Sequence, residues 1–219
     1  MTTPTQRRSP EHAEPKRLVR TATLADLDQM TIALTEAFFD DPVWGPTFPD
    51  RDRRREQASA YWRFAATEAL RFPESVVAVD PEGAVTALAV WLPPGADEIS
   101  ASSIPAYDAL VADILDPEAA VSLHAAGHAF ETARPSEPHA YLTLLAVAPE
   151  FGGRGEGMRL LREVLRRYDA AGTPTYLESS NPVNDVKYES LGYQPHGRVR
   201  LAGGAEVQTY WRDPEPLSE

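Results

Sequence analysis

The 219-residue sequence contains no cysteine. This excludes disulfides, thiolate metal sites and a cysteine nucleophile, so any group transfer must pass directly between substrates or through another side chain. Nor is there an uninterrupted apolar run near the roughly 20 residues that a membrane span needs. The opening "MTTPTQRRSPEHAEPKR" is polar and proline-containing with no apolar stretch, so residues 1–16 read as a disordered leader and not as a signal peptide. A cytoplasmic protein without a membrane partner is the expectation. Positive charge is also scarce, with 21 Lys and Arg against 33 Asp and Glu and a formal net charge of -12. That balance argues against a nucleic-acid partner and is compatible with a cationic small molecule or a basic peptide. No internal repeat is visible.

What is present alternates between strand-like and helix-like segments. "RLVRTA" predicts a first strand, and Thr23 an N-cap for a helix whose apolar stripe is Leu27, Met30, Leu34 and Phe38. The loop "DDPVWGPTFPD" ends that helix, and a charged helix follows from about Asp52 to Arg71. Its "RDRRRE" run reads as a solvated face. "SVVAVD" and "AVTALAVWLP", joined by "PEG", form a hairpin. Residues 95–138 are alanine-rich and predict two helices, and Ala140–Val147 is the most apolar strand candidate. A helix with Leu161, Val164, Leu165 and Tyr168 on one face, the strand "TYLES", a short helix ending at Gly192 and two closing strands complete the chain. The order implies one α/β (α+β) domain over residues 17–213 with a mixed sheet, followed by a tail at 214–219.

Between the Ala140–Val147 strand and the next helix lies "GGRGEG", residues 152–157, with four glycines in six positions. Each glycine costs a helix about 0.5–1 kcal/mol relative to alanine, so such a cluster at a helix start needs a reason. Strand, glycine turn, helix is an anion site, because the first backbone N–H groups of a helix are unpaired and carry partial positive charge. A P-loop would need G-K-[S/T], which is absent, and a dinucleotide fingerprint read from Gly155 would need glycine where Leu160 stands.

Another form fits. Val147, Pro149, Gly155 and Gly157 match a strand ending in V-x-P followed by a loop of the type [R/Q]-x-x-G-x-[G/A], with Gly152 where arginine or glutamine is usual. Downstream, Asn184, Tyr188, Gly192 and Tyr193 in "SSNPVNDVKYESLGY" match a second motif of the same family. The chain resembles the GNAT superfamily of acyl-CoA N-acyltransferases over about residues 18–212. Within it, the layout is similar to the puromycin N-acetyltransferase-like actinobacterial enzymes. The resemblance implies a GNAT fold with a mixed central sheet of about seven strands flanked by helices and splayed between the fourth and fifth strands. It implies acetyl-CoA as co-substrate, no metal, and a monomer or homodimer acting on a small amine such as an antibiotic or other natural product. A protein lysine or N-terminal acetyltransferase and a non-catalytic acyl-CoA-binding module are the alternatives.

Carried over by motif position, Leu145, Ala146 and Val147 would hold the pantetheine arm, with Asn184 assisting. Gly152, Gly153, Arg154, Gly155, Glu156, Gly157 and Met158 would hold the pyrophosphate. Tyr188 would border the thioester and protonate the leaving thiolate. Glu178 is the expected general base, with Asp40 and Asp41 as rivals, and the loop after the first helix would place Phe39, Asp40, Asp41 and Trp44 at the acceptor. Glu156 is the awkward member, since a carboxylate aimed at the pyrophosphate would repel it. His124, His128 and Glu131 share a helical metal-site spacing but lack the H-E-x-x-H pattern, and read as a surface or pocket-lining face.

Overall fold

The computed structural model describes residues 17–202 and 204–216, so the expected leader (1–16) and the end of the tail (217–219) lie outside the described residues. Seven strands form one sheet: β1 (Leu18–Thr21), β2 (Val76–Val79), β3 (Val85–Leu92), β4 (Ala140–Val147), β5 (Thr175–Ser179), β6 (Gln194–Arg200) and β7 (Glu206–Arg212), in spatial order β1-β2-β3-β4-β5-β7-β6. Every neighbouring pair is antiparallel except β4 and β5, which run parallel. Among the described residues no helix is long and apolar enough to cross a membrane.

All residues of β2 and β3 are buried, as expected of strands covered on both faces. Leu88 and Val90 of β3 join a core with helices α1 (Leu27–Phe38), α3 (Arg54–Ala69), α4 (Ile104–Ile114) and α5 (Pro117–Ala133). Ala87, Ala89 and Trp91 face the opposite core, shared with α6 (Glu156–Ala171) and α7 (Asp185–Glu189). A one-turn helix α2 (Trp44–Thr47) follows α1 in the proline-rich loop. The "RDRRRE" run is not uniformly solvated: Arg54 is buried, donating from Nε to Phe48 O at 2.7 Å and from Nη1 to Phe39 O at 3.1 Å. It thereby supplies donors to carbonyls that an irregular loop leaves without partners.

One irregularity interrupts the β3–β4 ladder. Trp91 pairs with Leu142, but Val90 pairs with Leu144, so Thr143 is an extra residue, a β-bulge. Before it, Ala140 and Leu142 face the α6 core; after it, Leu144 and Ala146 face the α1–α3 core. Bulges bend the strand that carries them. The β4–β5 ladder covers only Ala140–Leu142 against Thr175–Leu177, stopping where the bulge begins. Beyond it the two strands splay apart.

Candidate active site

The splay opens into a cavity of about 790 Å³, walled by Leu145–Val147 of β4, Glu178 and Ser179 of β5, Asn184 and Tyr188. Helices α1, α3, α4 and α5 close it on the other side with a largely aromatic wall. Trp44 packs edge-on against Trp62, with ring centres 5.1 Å apart, and nearly parallel to Phe130 at 6.3 Å.

At the outer end of β4 the chain makes one turn of 3-10 helix (Pro149–Phe151) and then the exposed loop Gly152–Gly155. Gly153 and Gly155 have φ of 74° and 75°, a left-handed conformation that favours glycine, and α6 begins at Glu156. A Cβ on Gly157 would lie 3.1 Å from Val147 Cγ2. Glycine there lets the first turn of α6, whose leading N–H groups have no helical partner, sit directly against the end of β4. The loop residues, Met158 included, lie beyond the cavity wall, continuing from its Val147 end. An acyl-CoA fits this arrangement in kind. A strand edge released from its neighbour could accept an amide-bearing arm, and the helix start beyond it could accept a diphosphate.

Glu156 points away from the cavity. Its side chain is buried, with Oε1 receiving Arg17 Nη2 at 3.1 Å and Arg159 Nη1 at 3.5 Å. Arg17 and Arg154 also lie over Phe151, each guanidinium about 5.5 Å from the ring centre. The carboxylate thus sits at the N-terminus of α6, where negative charge is favourable, and gathers cations around the loop.

Glu178 lines the cavity, and its Oε1 is buried without a hydrogen-bond partner. Burial raises its carboxyl from the ordinary 4.5 to about 8; Glu98 adds to the rise, while hydrogen bonds from Tyr141 and Tyr176 and the charge of Arg134 oppose it. Burial also lifts the Tyr188 phenol well above its ordinary value, with Asp185 and Asp41 adding to the effect, so Tyr188 is protonated at neutral pH.

The loop after α1 divides the expected acceptor residues. Asp41 and Trp44 line the cavity; Phe39 and Asp40 do not. Asp40 is exposed and paired with Arg51 at 3.1 Å, and Phe39 lies beneath the guanidinium groups of Arg51, Arg54 and Arg55. Asp41 is buried and occupied: Oδ1 accepts from the N–H groups of Val43 (2.9 Å) and Trp44 (3.1 Å), and Oδ2 accepts Ser180 Oγ at 2.8 Å. It holds the turn that leads into α2 and ties the loop to the end of β5. Asn184 lines the wall with its Oδ1 receiving Lys187 Nζ at 2.8 Å.

Several wall residues carried no motif. Glu98 and Arg134 form an ion pair, Arg134 lies 4.4 Å over the Tyr141 ring, and Tyr61 and Tyr107 pack 6.3 Å apart. They come from the loop after β3, the end of α5, β4, α3 and α4, five segments with no shared pattern. His124 and His128 line the cavity; His128 Nδ1 is 3.9 Å from Glu131 Oε2, and no cluster of three potential metal ligands occurs among the described residues.

Comparison with known proteins gives the same picture. Residues 107–211 match the family model described as an acetyltransferase (GNAT) domain. The fold is similar to a Corynebacterium glutamicum structure described as histone acetyltransferase HPA2 and related acetyltransferase, with a TM-score of 0.68 at 23% identity over 92% of this chain and 99% of that one. It is also similar to a polyamine N-acetyltransferase from Drosophila melanogaster (TM-score 0.58, 22% identity, 90% and 100% covered). A third likeness is to arylalkylamine N-acetyltransferase 2 from Aedes aegypti (TM-score 0.62, 12% identity, 91% and 99% covered). Residues 107–211 thus match a GNAT acetyltransferase domain, and the sheet splayed at β4–β5 is similar in fold to these solved acetyltransferases.

Proposed function

We propose that this protein transfers the acetyl group of acetyl-CoA directly to the amine of a small molecule, within a ternary complex. The observation that carries the reading is the pair of proton-transfer groups on one cavity at the strand splay: the unpartnered carboxylate oxygen of Glu178 and the protonated phenol of Tyr188. An alkylamine has a pKa near 10, so reaching its neutral, nucleophilic form at pH 7 costs about 4 kcal/mol unless a base accepts the proton. Glu178, whose carboxyl titrates at about 8, takes that proton in its ionised form, directly or through a water, so turnover rises as pH approaches 8. As nitrogen adds to the thioester carbonyl, a backbone amide at the end of β4 near Val147 stabilises the oxyanion. Tyr188 then donates its proton to the sulfur as the C–S bond breaks. The chain has no cysteine to carry an acyl intermediate, which accords with direct transfer.

An acidic, aromatic cavity between the sheet and the helices suits a small amine, and an antibiotic or other natural-product amine falls within that acceptor class. Among the fold neighbours, those named for polyamines and arylalkylamines act on small amines. The test is thiol release from acetyl-CoA over a panel of amines, with initial rates measured against both substrates. Intersecting double-reciprocal lines are expected. Coenzyme A binding without release by any amine would instead indicate a non-catalytic module, and release with basic peptides alone would indicate a protein acetyltransferase.

A further inference from the structure

Glu178 is the first residue of β5 beyond the last rung of the β4–β5 ladder. Its neighbours on the paired side are two phenols. Tyr176 lies two positions earlier on the same face of β5, and Tyr141 is its register partner on β4, with ring centres 5.7 Å apart. Arg134, just after α5, lies 4.4 Å over the Tyr141 ring and pairs through Nη2 with Glu98, a half-exposed carboxylate of the loop after β3. It is the only Lys or Arg in the cavity wall among the described residues. Two complementary atoms in this cluster are buried without a partner: Arg134 Nε, a donor, and Glu178 Oε1, an acceptor. The one guanidinium is thus committed to the outer acid, while the inner acid goes without.

We propose that Glu98 and Arg134 are positioning residues for Glu178: Glu98 holds the guanidinium back from it, and the pair decides how readily Glu178 ionises. The catalytic consequence rests on the acetyltransfer reading above. A cation within about 4–6 Å favours a carboxylate's ionised form, and a like charge disfavours it. Glu98 acts in both ways, as a negative charge near Glu178 and as the competing partner of Arg134, and the two effects have the same sign. Burial is the largest influence on the Glu178 carboxyl; the Tyr141 hydrogen bond and Arg134 work against it, and Glu98 works with it. The other groups around Glu178 are committed or neutral. Asp41, in the loop after α1, has its acceptor atoms filled, and burial keeps the phenols of Tyr61, Tyr107 and Tyr188 neutral. Burial also lowers His139, which packs against Tyr176, and Thr209, the β7 partner of Glu178, carries no charge. Glu131 of α5 is mostly exposed and faces His128.

The experiment follows the parent, Glu98→Gln and Arg134→Gln across the neutral and mildly alkaline range with two readouts. One is kcat/KM for the panel amine with the highest rate, acetyl-CoA saturating; the amine's own titration is common to all three proteins, so only differences between midpoints count. The other is the urea-unfolding stability of each ligand-free protein minus that of the same protein carrying Glu178→Gln, which isolates the titration of Glu178. Glu98→Gln frees the guanidinium and removes a like charge, so both midpoints should fall by about half a pH unit or more, and kcat/KM below the midpoint should rise about threefold. Arg134→Gln should move both midpoints up by a similar amount, and Arg134→Lys should recover most of that shift. Opposite shifts support the inference, because a merely structural loss lowers the rate without moving the midpoints. Unmoved midpoints overturn it, as do shifts of one sign in both variants. Should Glu98→Gln fail to fold, an upward shift in Arg134→Gln that Arg134→Lys cancels supports it, and an upward shift shared by both variants overturns it. Absence of turnover with every amine removes the acetyltransfer reading, and the stability midpoints then decide the inference by themselves.

Discussion

Glu178→Gln separates two properties that one carboxyl combines. In the parent, the carboxyl titrates at about 8 in the folded protein, where burial disfavours its charge, and near 4.5 once unfolding exposes it. Between these values the folded state holds a proton that the unfolded state has lost. Stability is therefore fully present below about pH 4.5 and falls as pH rises through about 8. At about 1.4 kcal/mol per pH unit, that interval corresponds to a loss of roughly 5 kcal/mol at most, and on the order of 3 if unfolding leaves part of the site dry. Glutamine keeps the shape and cannot ionise. Urea unfolding of the ligand-free parent and variant from pH 4 to 9 should thus give similar stabilities at the acid end and a growing advantage for Glu178→Gln towards pH 9. Activity should move the opposite way, with kcat/KM reduced by roughly 10²–10⁴ and its rise near pH 8 abolished. A stability difference that does not change with pH would refute the burial argument. Parent-like turnover at pH 7 in the variant would refute the role of Glu178 as base.

Three further perturbations test the rest of the site. Tyr188→Phe should lower kcat by about 10²-fold or more with coenzyme A affinity kept, as measured by calorimetry, and unchanged turnover would remove Tyr188 from the mechanism. Gly157→Val should weaken coenzyme A binding at least about tenfold, because its Cβ would start 3.1 Å from Val147 Cγ2 and the first turn of α6 would have to lift off β4; unaltered affinity would mean that this close approach is not needed. Asp41→Ala leaves the N–H groups of Val43 and Trp44 and the hydroxyl of Ser180 without their acceptor, costing about 1–3 kcal/mol in denaturant unfolding and raising KM for the amine more than it lowers kcat.

Strand and helix order and the glycine turn at Gly152–Gly157 that opens α6 were legible because each is encoded locally, by periodicity or by glycines that a helix start otherwise disfavours. The splay is seen directly, but its local cause was not legible. "AYLTLLAV" reads as uninterrupted apolar strand, and the bulge at Thr143 becomes visible only against the register of β3. Adjacent acids had opposite fates: Asp40 turns to Arg51 outside, while Asp41 turns inward to Ser180, 139 residues further along the chain. Nothing in "DDPVW" distinguishes them, since the choice depends on where β5 ends. Arg54 is hidden for the same reason, its partners being carbonyls of an irregular loop and not side chains with a pattern. The acceptor wall was the least legible part. Glu98 converges on Arg134 and Tyr141 from a loop 36 residues before Arg134, and none of the three carries a motif.

On the acetyltransfer proposed above, a protein of net charge -12 has to take up a polyanionic co-substrate, an electrostatic conflict that sorting charge along the cleft would ease. At the acceptor end, carboxylates outnumber cations in the wall. At the loop end the order reverses, and Glu156 is the means. Its buried carboxylate holds Arg17 from the start of β1 and Arg159 from α6, beside an N-terminus that already carries partial positive charge, while Arg154 lies over Phe151 nearby. A carboxylate at this position would oppose a pyrophosphate if it faced the cleft. Turned inward and paired, it concentrates guanidinium groups around the loop, and the backbone amides remain available to a ligand. Glu156→Gln would keep the packing while weakening that hold on Arg17 and Arg159, so coenzyme A affinity should fall, and fall more steeply at low ionic strength where these charges are least screened. Tighter binding in the variant would mean that the carboxylate repels the ligand after all, and the assignment of Glu156 as an organiser of the cradle would be wrong.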